Sequence, residues 1–244
     1  MTDKLLNVLI GCEFSGLVRD AFIAHGHDAV SCDLLDSERP GPHIKGDVLD
    51  SINDGFDMMI AFPPCTYLAV SGNKWMKPEY QTRFPNRQQQ RKDAIDFFMQ
   101  LVNAPIDKIC IENPVGIMST EYRKPDQYIQ PYHFGHPETK KTGLWLKGLP
   151  KLNPTKIVAP EWIIGKRDGK RYSKIHYMTA RSFGKDINRQ KERSRSYTGI
   201  AEAMSSQWSD IGFAKYCKCG RQLIGNIEKE NNQCSYCARP GVDQ

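Results

Sequence analysis

The stretch LLNVLIGCEFSGLVRDAFIAHGHDAVSCD, residues 5–33, decides the fold. It opens with an apolar run that is typical of a buried strand, and residues 15–26 then have the periodicity of a helix that closes on Gly26. A second strand, DAVSCD, follows at 28–33 and ends in an acid. A strand, a helix and a strand in this order predict the first crossover of a parallel sheet.

The same alternation continues through the first half of the chain. FDMMIAF at 56–62 predicts another buried strand, RQQQRKDAIDFFMQLVNAP at 87–105 a helix closed by a proline, and DKICIE at 107–112 a further strand. Strands that alternate with helices predict an α/β fold with a parallel sheet covered on both faces. Ligands of such sheets bind beyond the carboxyl ends of the strands, where we expect the functional residues.

Three polar residues stand at predicted strand ends: Asp33, Cys65 and Glu112. Cys65 directly follows a Pro-Pro corner in FPPCTYLAVSGNKW. The two prolines fix the approach of the chain and remove backbone donors. A thiolate at a strand end can be activated by nearby cations or helix N-termini, which favours a nucleophile. The alternative is a buried, inert cysteine.

Glu112 lies in CIENPVG, where a carboxyl group leaves a buried strand and is followed by Asn-Pro. This placement predicts that Glu112 faces a pocket, in which it could protonate a substrate atom. The alternative is a capped strand end with Glu112 in a surface ion pair.

The composition is that of an ordinary globular protein. Of the 244 residues, 25% are charged and 39% are hydrophobic, and the net charge of +6 allows a polyanionic partner without demanding one. The N-terminal sequence predicts a first strand and not a signal peptide, and no apolar run approaches the ~20 residues of a membrane helix. We therefore expect a cytoplasmic protein that is not bound to a membrane.

The eight cysteines fall into two groups, of which one is scattered through the first half of the chain. The other group follows the pattern C-x-C, fourteen residues, C-x-x-C, and consists of Cys217, Cys219, Cys234 and Cys237. Two such pairs can place four thiolates around one tetrahedral Zn²⁺, and so small a segment has almost no core without a metal. The pattern predicts a C-terminal zinc ribbon with a structural Zn²⁺. The alternative is four reduced surface cysteines.

The chain becomes basic before this tail. Residues 165–196 hold eleven Lys or Arg residues against three acids, and Arg167, Lys170 and Arg171 are among them. Such residues can contact the phosphates of a nucleic acid, and the alternative is a solvated basic face. A helix is predicted next, at 197–211.

Several motifs resemble those of the DNA (cytosine-5) methyltransferases, in the family's order. The Phe-Pro-Cys motif of the family is similar to AFPPC, its Glu-Asn-Val motif is similar to ENPV, and its glycine-rich first loop is weakly matched by CEFSGLV. These and the smaller matches lie at residues 12–18, 33, 46–47, 61–65, 71–72 and 112–115. The resemblance covers about 5–150 well and about 190–210 loosely, and it does not reach the cysteine tail.

The resemblance implies a covalent mechanism on cytosine. Cys65 would attack C6 of the base, and Glu112 would hydrogen-bond N3 and stabilise its protonated form. C5 would then become an enamine-like nucleophile that takes a methyl group from S-adenosylmethionine. The implied fold is a Rossmann-like S-adenosylmethionine-dependent methyltransferase sheet, accompanied here by the small C-terminal zinc ribbon.

The resemblance also implies how the cofactor is held. Asp33 would hold the ribose hydroxyls and Asp47 the adenine amino group, while the main chain of the first loop would line the methionine part. The residues implied to bind S-adenosylmethionine are Phe14, Ser15, Gly16, Asp33, Asp47 and Pro63.

DNA is the implied partner. A target base is stacked inside the duplex and must be flipped out. The loop after the nucleophile, with Ser71 and Asn73, is placed to fill the gap or to hold a phosphate. The family's Gln-x-Arg-x-Arg motif is absent as such, and in the corresponding stretch, FGHPETKKTGLWLKG, we expect Lys140 or Lys141 to take its part. Arg167, Lys170 and Arg171 would contact the DNA backbone as well.

These expectations divide the chain into four parts. They are a Rossmann-like catalytic domain at 1–150, a short basic DNA-recognition segment at 151–196, a helix that returns to the catalytic domain at 197–212 and a zinc ribbon at 213–244. Because the recognition segment is short, an enzyme that acts on RNA or a free nucleotide, or that transfers a group other than methyl, is an open alternative. A non-catalytic DNA-binding protein with the same fold is the other.

Overall fold

Strands and helices alternate in the computed structural model of the protein, which describes residues 5–165, 168–173 and 195–209. The strands in these ranges are β1 (Asn7–Gly11), β2 (Asp28–Asp33), β3 (His43–Lys45), β4 (Met58–Ala61), β5 (Lys108–Pro114), β6 (Gln127–Ile129), β7 (Thr142–Lys147), β8 (Trp162–Ile164) and β9 (Arg171–Ser173). The α-helices are α1 (Leu17–Ala24), α2 (Arg87–Val102), α3 (Met118–Glu121) and α4 (Thr198–Ser209). The strands and helices predicted from the sequence are all confirmed, with ends that differ by a few residues.

Seven strands form one sheet in the order β3-β2-β1-β4-β5-β7-β6. β1 pairs in parallel with β2 and β4, β2 with β3, and β4 with β5. β7 runs antiparallel to both of its neighbours, β5 and β6. The predicted α/β fold with a mostly parallel sheet is confirmed, but the reversed strand was not expected. It is reversed because the connection from β6 to β7 holds a short 3-10 turn and no helix that would carry the chain back across the sheet.

α1 and α2 cover opposite faces of this sheet. The chain moves from β1 to β2 in one direction and from β4 to β5 in the other, so right-handed crossovers place their helices on opposite sides. On one face, Phe98 and Leu101 of α2 pack with Leu9, Met59 and Ile109 of the strands in a buried core. On the other face, α4 packs against α1.

A buried arginine organises the connection between β2 and β3. Arg19 of α1 is fully buried and donates hydrogen bonds to the carbonyl oxygens of Arg39, Pro40 and Pro42. Hydrogen bonds from a charged donor are stronger than those between neutral groups. Arg19 therefore holds the chain that follows Asp33 against α1.

The basic segment contains a small hairpin that was not predicted. β8 and β9 form a separate two-stranded antiparallel sheet, in which Trp162 lies opposite Ser173. Trp162 and Ile164 are exposed. The hairpin therefore presents apolar side chains next to the basic residues of the same segment.

The described residues belong to one compact unit, Leu5–Ser209. The predicted zinc ribbon, with its four cysteines, and Arg167 lie outside them. Within the described ranges, no group of three or more His, Cys, Asp or Glu side chains could hold a metal ion. No helix in this part of the chain is long and apolar enough to cross a membrane.

Candidate functional site

The strand order creates a switch point between β1 and β4. The sheet continues from β1 through β2 on one side and from β4 through β5 on the other. Gly11 lies beside Ala61 at the ends of these strands, and the N–H of Phe62 donates a 2.9 Å hydrogen bond to the carbonyl oxygen of Gly11. The loops that leave both strands therefore start side by side, at the position where ligands of such sheets bind.

The loop after β1 turns sharply into α1. Cys12 has a φ of 56° and Gly16 a φ of 71°, both in the left-handed region. Glu13 is buried between them, and its Oε1 accepts hydrogen bonds from the Ser15 hydroxyl and from the N–H of Leu17. Burial raises the pKa of Glu13, while these two hydrogen bonds oppose the shift.

Phe14, Ser15 and Gly16, which were predicted to line the cofactor, belong to this loop. The side chains of Phe14 and Ser15 are buried. The carbonyl oxygen of Phe14 accepts a 2.8 Å hydrogen bond from the N–H of Glu38 in the β2–β3 connection. With both side chains buried, the loop has mainly its backbone to offer to a ligand.

Two carboxylates flank the same loop. Asp33 ends β2 and accepts a 2.9 Å hydrogen bond from the N–H of Leu35, and Asp47 follows β3 and accepts one of 3.0 Å from the N–H of Leu49. Burial raises the pKa of Cys12, and the charges of Asp33 and Asp47 raise it further, so both acids lie near the start of the loop. Burial also raises the pKa of Asp33 itself.

This pair of acids fits the cofactor that the resemblance implies. An ionised carboxylate has about four acceptor sites, and in Asp33 and Asp47 one oxygen atom bonds the backbone of its own turn. The remaining acceptor sites suit ribose hydroxyls and an amino group. Gly46 directly precedes Asp47, and its N–H donates a 3.0 Å hydrogen bond to the carbonyl oxygen of Asp33. A Cβ at Gly46 would meet nothing within 4 Å, so there is open space at this position.

Cys65 is exposed in the loop that leaves β4, two residues after the buried Pro63. Its carbonyl oxygen accepts a 2.9 Å hydrogen bond from the N–H of Ala69, so a turn begins at the thiol. Cys32 and Cys110 are buried instead, and burial raises the pKa of both, that of Cys32 to about 11. The alternative of a buried, inert cysteine therefore describes these two residues and not Cys65.

Asn113 connects the two motifs that carry the resemblance. Its side chain is buried, and Nδ2 donates a 2.9 Å hydrogen bond to the carbonyl oxygen of Pro63. Sequence reasoning did not select Asn113, although it stands directly after Glu112. The hydrogen bond fixes the corner before Cys65 relative to β5.

The sequence predicted that Glu112 ends its strand. This prediction is wrong by two residues, because β5 extends to Pro114. β4 leaves the sheet after Ala61, and β5 continues with β7 as its partner, so that Glu112 lies opposite Leu144. Glu112 is half-buried, and its Oε1 accepts a hydrogen bond from the hydroxyl of Thr142 on β7. The carboxyl group therefore projects from the part of β5 that extends beyond β4.

Glu112 lines a pocket built from distant parts of the chain. Its wall combines the end of β4, β5, the start of β7 and the residues before α4, and includes Phe62, Glu112, Lys140, Thr142, Arg195 and Tyr197. This pocket lies on the β4 side of the switch point, and the two acids lie on the β2 side. The site thus has two halves.

The structure distinguishes the two lysines that were predicted to contact the base. Lys140 lines the Glu112 pocket, and its Nζ lies 5.8 Å from the centre of the Tyr197 ring. Lys141 is exposed, and its Nζ lies 4.3 Å from the ring of Tyr128 on β6. Only Lys140 is therefore placed beside Glu112.

Arg195 and Tyr197 are further pocket residues that sequence reasoning did not select for this site. Arg195 forms a 2.9 Å ion pair with Glu38 of the β2–β3 connection. The Tyr197 hydroxyl donates a 2.5 Å hydrogen bond to Glu138, and burial, Glu138 and the charge of Glu112 all raise the pKa of Tyr197. No local sequence signal points to either residue, because their partners lie far away in the chain.

The loop after Cys65 is a 3-10 segment, Val70–Met76. Ser71 is exposed, and Oδ1 of Asn73 accepts a 2.6 Å hydrogen bond from Nη2 of Arg91 on α2. Asn73 thus fastens the loop to α2, and Ser71 faces solvent.

Of the three residues of the basic segment that were predicted to bind DNA, the structure describes Lys170 and Arg171, which lie on the β8–β9 hairpin. Arg171 begins β9, and Lys170 precedes it and accepts a 2.8 Å backbone hydrogen bond from Gly165. Both side chains are exposed, and Arg167 lies outside the described residues.

Comparison with known proteins adds no assignment, since no family model matches the chain and no curated protein matches its sequence. The chemistry of the site therefore rests on its own residues.

Proposed function

We propose that this protein is an S-adenosylmethionine-dependent DNA methyltransferase that methylates C5 of cytosine through a covalent adduct with Cys65. One observation carries the proposal: the exposed thiol after β4 and the carboxyl group of Glu112 on the adjacent β5 are tied together by the hydrogen bond from Asn113 to Pro63. A nucleophile and an acid on neighbouring strands can act on two atoms of one planar base.

The covalent step uses Cys65. Its thiolate would form a bond between Sγ and C6 of cytosine, and the electrons of the C5–C6 double bond would move toward C5 and N3. Covalent attack divides one difficult substitution into easier steps. The exposed setting of Cys65 supports this role, because a buried thiol could not reach a base.

The acid step uses Glu112. Its carboxyl group would hydrogen-bond N3 and supply the proton that neutralises the charge created by the attack. The Thr142 hydroxyl donates to Oε1 of Glu112 and so orients the carboxyl group. Lys140 lines the same pocket as Glu112 and would contact another polar atom on the edge of the base.

The transfer step requires the cofactor half of the site. S-adenosylmethionine, when bound, supplies the electrophilic methyl group. Asp33 and Asp47 would accept hydrogen bonds from its ribose hydroxyls and its adenine amino group, and the backbone of residues 14–16 and Pro63 would line the rest. After C5 has taken the methyl group, loss of the C5 proton, departure of Sγ from C6 and return of the N3 proton to Glu112 would restore the aromatic base, the thiolate and the acid.

The fold supports the proposal by analogy alone, since one fold can carry many functions. A Rossmann-like sheet binds its cofactor at the switch point, and here the two acids and the nucleophile lie on the two sides of that point.

The four tail cysteines are proposed to hold a structural Zn²⁺, and the protein is proposed to act in the cytoplasm, where DNA and the cofactor are available.

The direct test is product identification. Protein, S-adenosylmethionine with a labelled methyl group and cytosine-containing DNA are incubated, and the DNA is digested to nucleosides. We expect the label in 5-methyldeoxycytidine, and none with Cys65→Ala. Label that appears only when RNA or a nucleotide replaces DNA would favour the corresponding alternative, and no label with any substrate would reject methyl transfer.

A further inference from the structure

A cluster of cations and aromatic rings lies in the chain that follows Cys65, from Tyr67 to the start of α2. Four aromatic residues form its base: Tyr67, Trp75, Tyr80 and Phe84. The Trp75 ring packs edge-on against Tyr80 and Phe84, with centroid distances of 5.0 and 5.4 Å. These rings come from the Cys65 loop and from the chain that leads into α2, so they join the two.

Positive side chains lie over these rings. Nζ of Lys74 lies 4.2 Å from the Trp75 ring, and the guanidinium groups of Arg83 and Arg87 lie 5.3 and 5.8 Å from the Phe84 ring. Cation–aromatic contacts of this kind hold a charged group in place while its other side remains open to a ligand. The rings therefore fix the positions of the cations.

Arg87 and Arg91 stand one helical turn apart at the start of α2. Nε of Arg91 donates a 3.0 Å hydrogen bond to the carbonyl oxygen of Tyr67, two residues after Cys65. The pKa of Arg91 is lowered, first by burial and then by the charge of Arg87, while the charge of Glu121 opposes the shift. Like charges at this spacing repel each other, so an anion between them would stabilise the helix.

The stretch that contains the cluster is rich in positive charge. Between residues 74 and 92 the sequence has six Lys or Arg residues and one acid, Glu79. In the part of the chain that the structure describes, the ion pairs involve Arg19, Arg39, Lys45, Arg123 and Arg195, and none involves this cluster. The exposed cations of the cluster, Lys74 and Arg83, are therefore open to an anionic ligand from solution.

We infer that this cation–aromatic cluster, Lys74, Arg83, Arg87 and Arg91 on Tyr67, Trp75, Tyr80 and Phe84, binds the phosphodiester backbone of the DNA strand that presents its base to Cys65. The inference rests on the proposed function for the identity of the strand. Phosphate is the ligand that several guanidinium groups and an ammonium group recognise together. A strand is favoured over an isolated phosphate because the cations come from two segments, with Lys74 in the 3-10 segment after Cys65 and Arg87 and Arg91 in α2.

This surface differs from the basic segment predicted from the sequence. It lies in the chain that follows Cys65, and rings lie under Lys74, Arg83 and Arg87, whereas Lys170 and Arg171 lie on the β8–β9 hairpin. Phosphate contacts position a nucleic acid without reading its sequence. The cluster would therefore set how deeply the base approaches Cys65, and other residues would read the target sequence.

The test measures binding separately from methylation, with full-length protein in a Cys65→Ala background. Lys74→Gln and Arg83→Gln are combined, since both side chains are exposed and their loss leaves the core unchanged. The matched control combines Lys108→Gln with Lys151→Gln, which removes the same charge at the start of β5 and after the end of β7, away from the strand ends that carry Cys65. The affinity for a short duplex is recorded by fluorescence anisotropy over a range of salt concentrations.

The slope of log K against log salt should become less steep by about 1.8 in the test variant, at about 0.9 per phosphate contact, and should not change in the control. Equal slopes in the test variant and its parent, or an equal change in the control, would overturn the inference. Inorganic phosphate at matched ionic strength serves as a competitor, and displacement of the DNA by it would show an isolated phosphate site instead.

The outcomes also separate this inference from the proposed function. A protein that binds DNA through the cluster but does not methylate it would retain the inference and reject methyl transfer. A protein that methylates DNA with an unchanged salt slope in the test variant would reject the inference alone. A parent protein that binds no DNA at low salt would reject both.

Discussion

Asn113 donates a 2.9 Å hydrogen bond from its side chain to the carbonyl oxygen of Pro63, across fifty residues of sequence. Both groups are buried, and each belongs to a different strand end. Pro63 stands two residues before Cys65, and Asn113 stands directly after Glu112. This hydrogen bond therefore adds to the pairing of β4 with β5 in fixing the nucleophile relative to the acid.

Asn113→Ala should weaken both the fold and the reaction. The carbonyl oxygen of Pro63 would stay buried without its donor, which costs about 1–3 kcal/mol. We expect the unfolding free energy in urea to fall by that amount and methyl transfer to slow, while the affinity for S-adenosylmethionine changes little. Asn103→Ala, at an exposed position after α2, is the control. A stable Asn113→Ala protein with full activity would show that the hydrogen bond does not position Cys65.

Asp33→Asn should weaken cofactor binding by about 1.5–3 kcal/mol, the contribution of hydrogen bonds to a charged group. Burial raises the pKa of Asp33, so protonation removes its charge at a higher pH than for an ordinary Asp. Affinity measured by calorimetry should fall as pH falls through that raised pKa, and the variant should lose this dependence. Asp36→Asn, an exposed partner of Lys45, is the control. Unchanged affinity in both Asp33→Asn and Asp47→Asn would place the cofactor elsewhere.

Glu13→Gln should make the protein more stable at neutral pH. The pKa of Glu13 is raised in the folded state, so the stability it contributes is present below its unfolded pKa of about 4.3 and is lost as pH rises through the folded value. A glutamine has no charge to bury, and its Oε1 can still accept from Ser15 and Leu17. The difference in unfolding free energy between variant and parent should therefore grow as the pH rises from about 4 to about 7.

Urea unfolding at several pH values measures this difference. Glu79→Gln, at an exposed position, controls for the change in net charge. A constant difference across the range would mean that Glu13 titrates as it does in the unfolded chain. A difference of the opposite sign would mean that a cation compensates the buried charge.

The tail should bind about one Zn²⁺ per chain through Cys217, Cys219, Cys234 and Cys237. Elemental analysis of protein that has never met a chelator measures the metal directly. Cys217→Ser combined with Cys234→Ser should remove it, while Cys32→Ser, at a buried core position, should not. Protein with no metal would leave the four residues as reduced surface cysteines.

The sheet could be predicted largely from local patterns. β1, α1 and β2 are read from residues 5–33 because burial and periodicity are properties of short segments. The reversal of β7 could not be predicted in this way, since it depends on how the chain returns from β6. The extension of β5 past β4 likewise depends on a partner strand that is distant in sequence.

The candidate site shows the same division. Cys65 and Glu112 were selected because strand ends in such sheets face ligands. Asn113, Thr142 and Arg195 were not selected, because their hydrogen bonds to Pro63, Glu112 and Glu38 span 50, 30 and 157 residues. Such contacts exist only once the chain has folded.

The most direct test of the account is to trap the covalent adduct. DNA that carries 5-fluorocytosine at target positions is incubated with the protein and S-adenosylmethionine, because C5 then has no proton to lose and the Sγ–C6 bond persists. A denaturing gel should show a cofactor-dependent protein–DNA band that is absent with Cys65→Ala and present with Cys12→Ala. An equally strong band from Cys65→Ala would remove Cys65 from the mechanism and contradict the account.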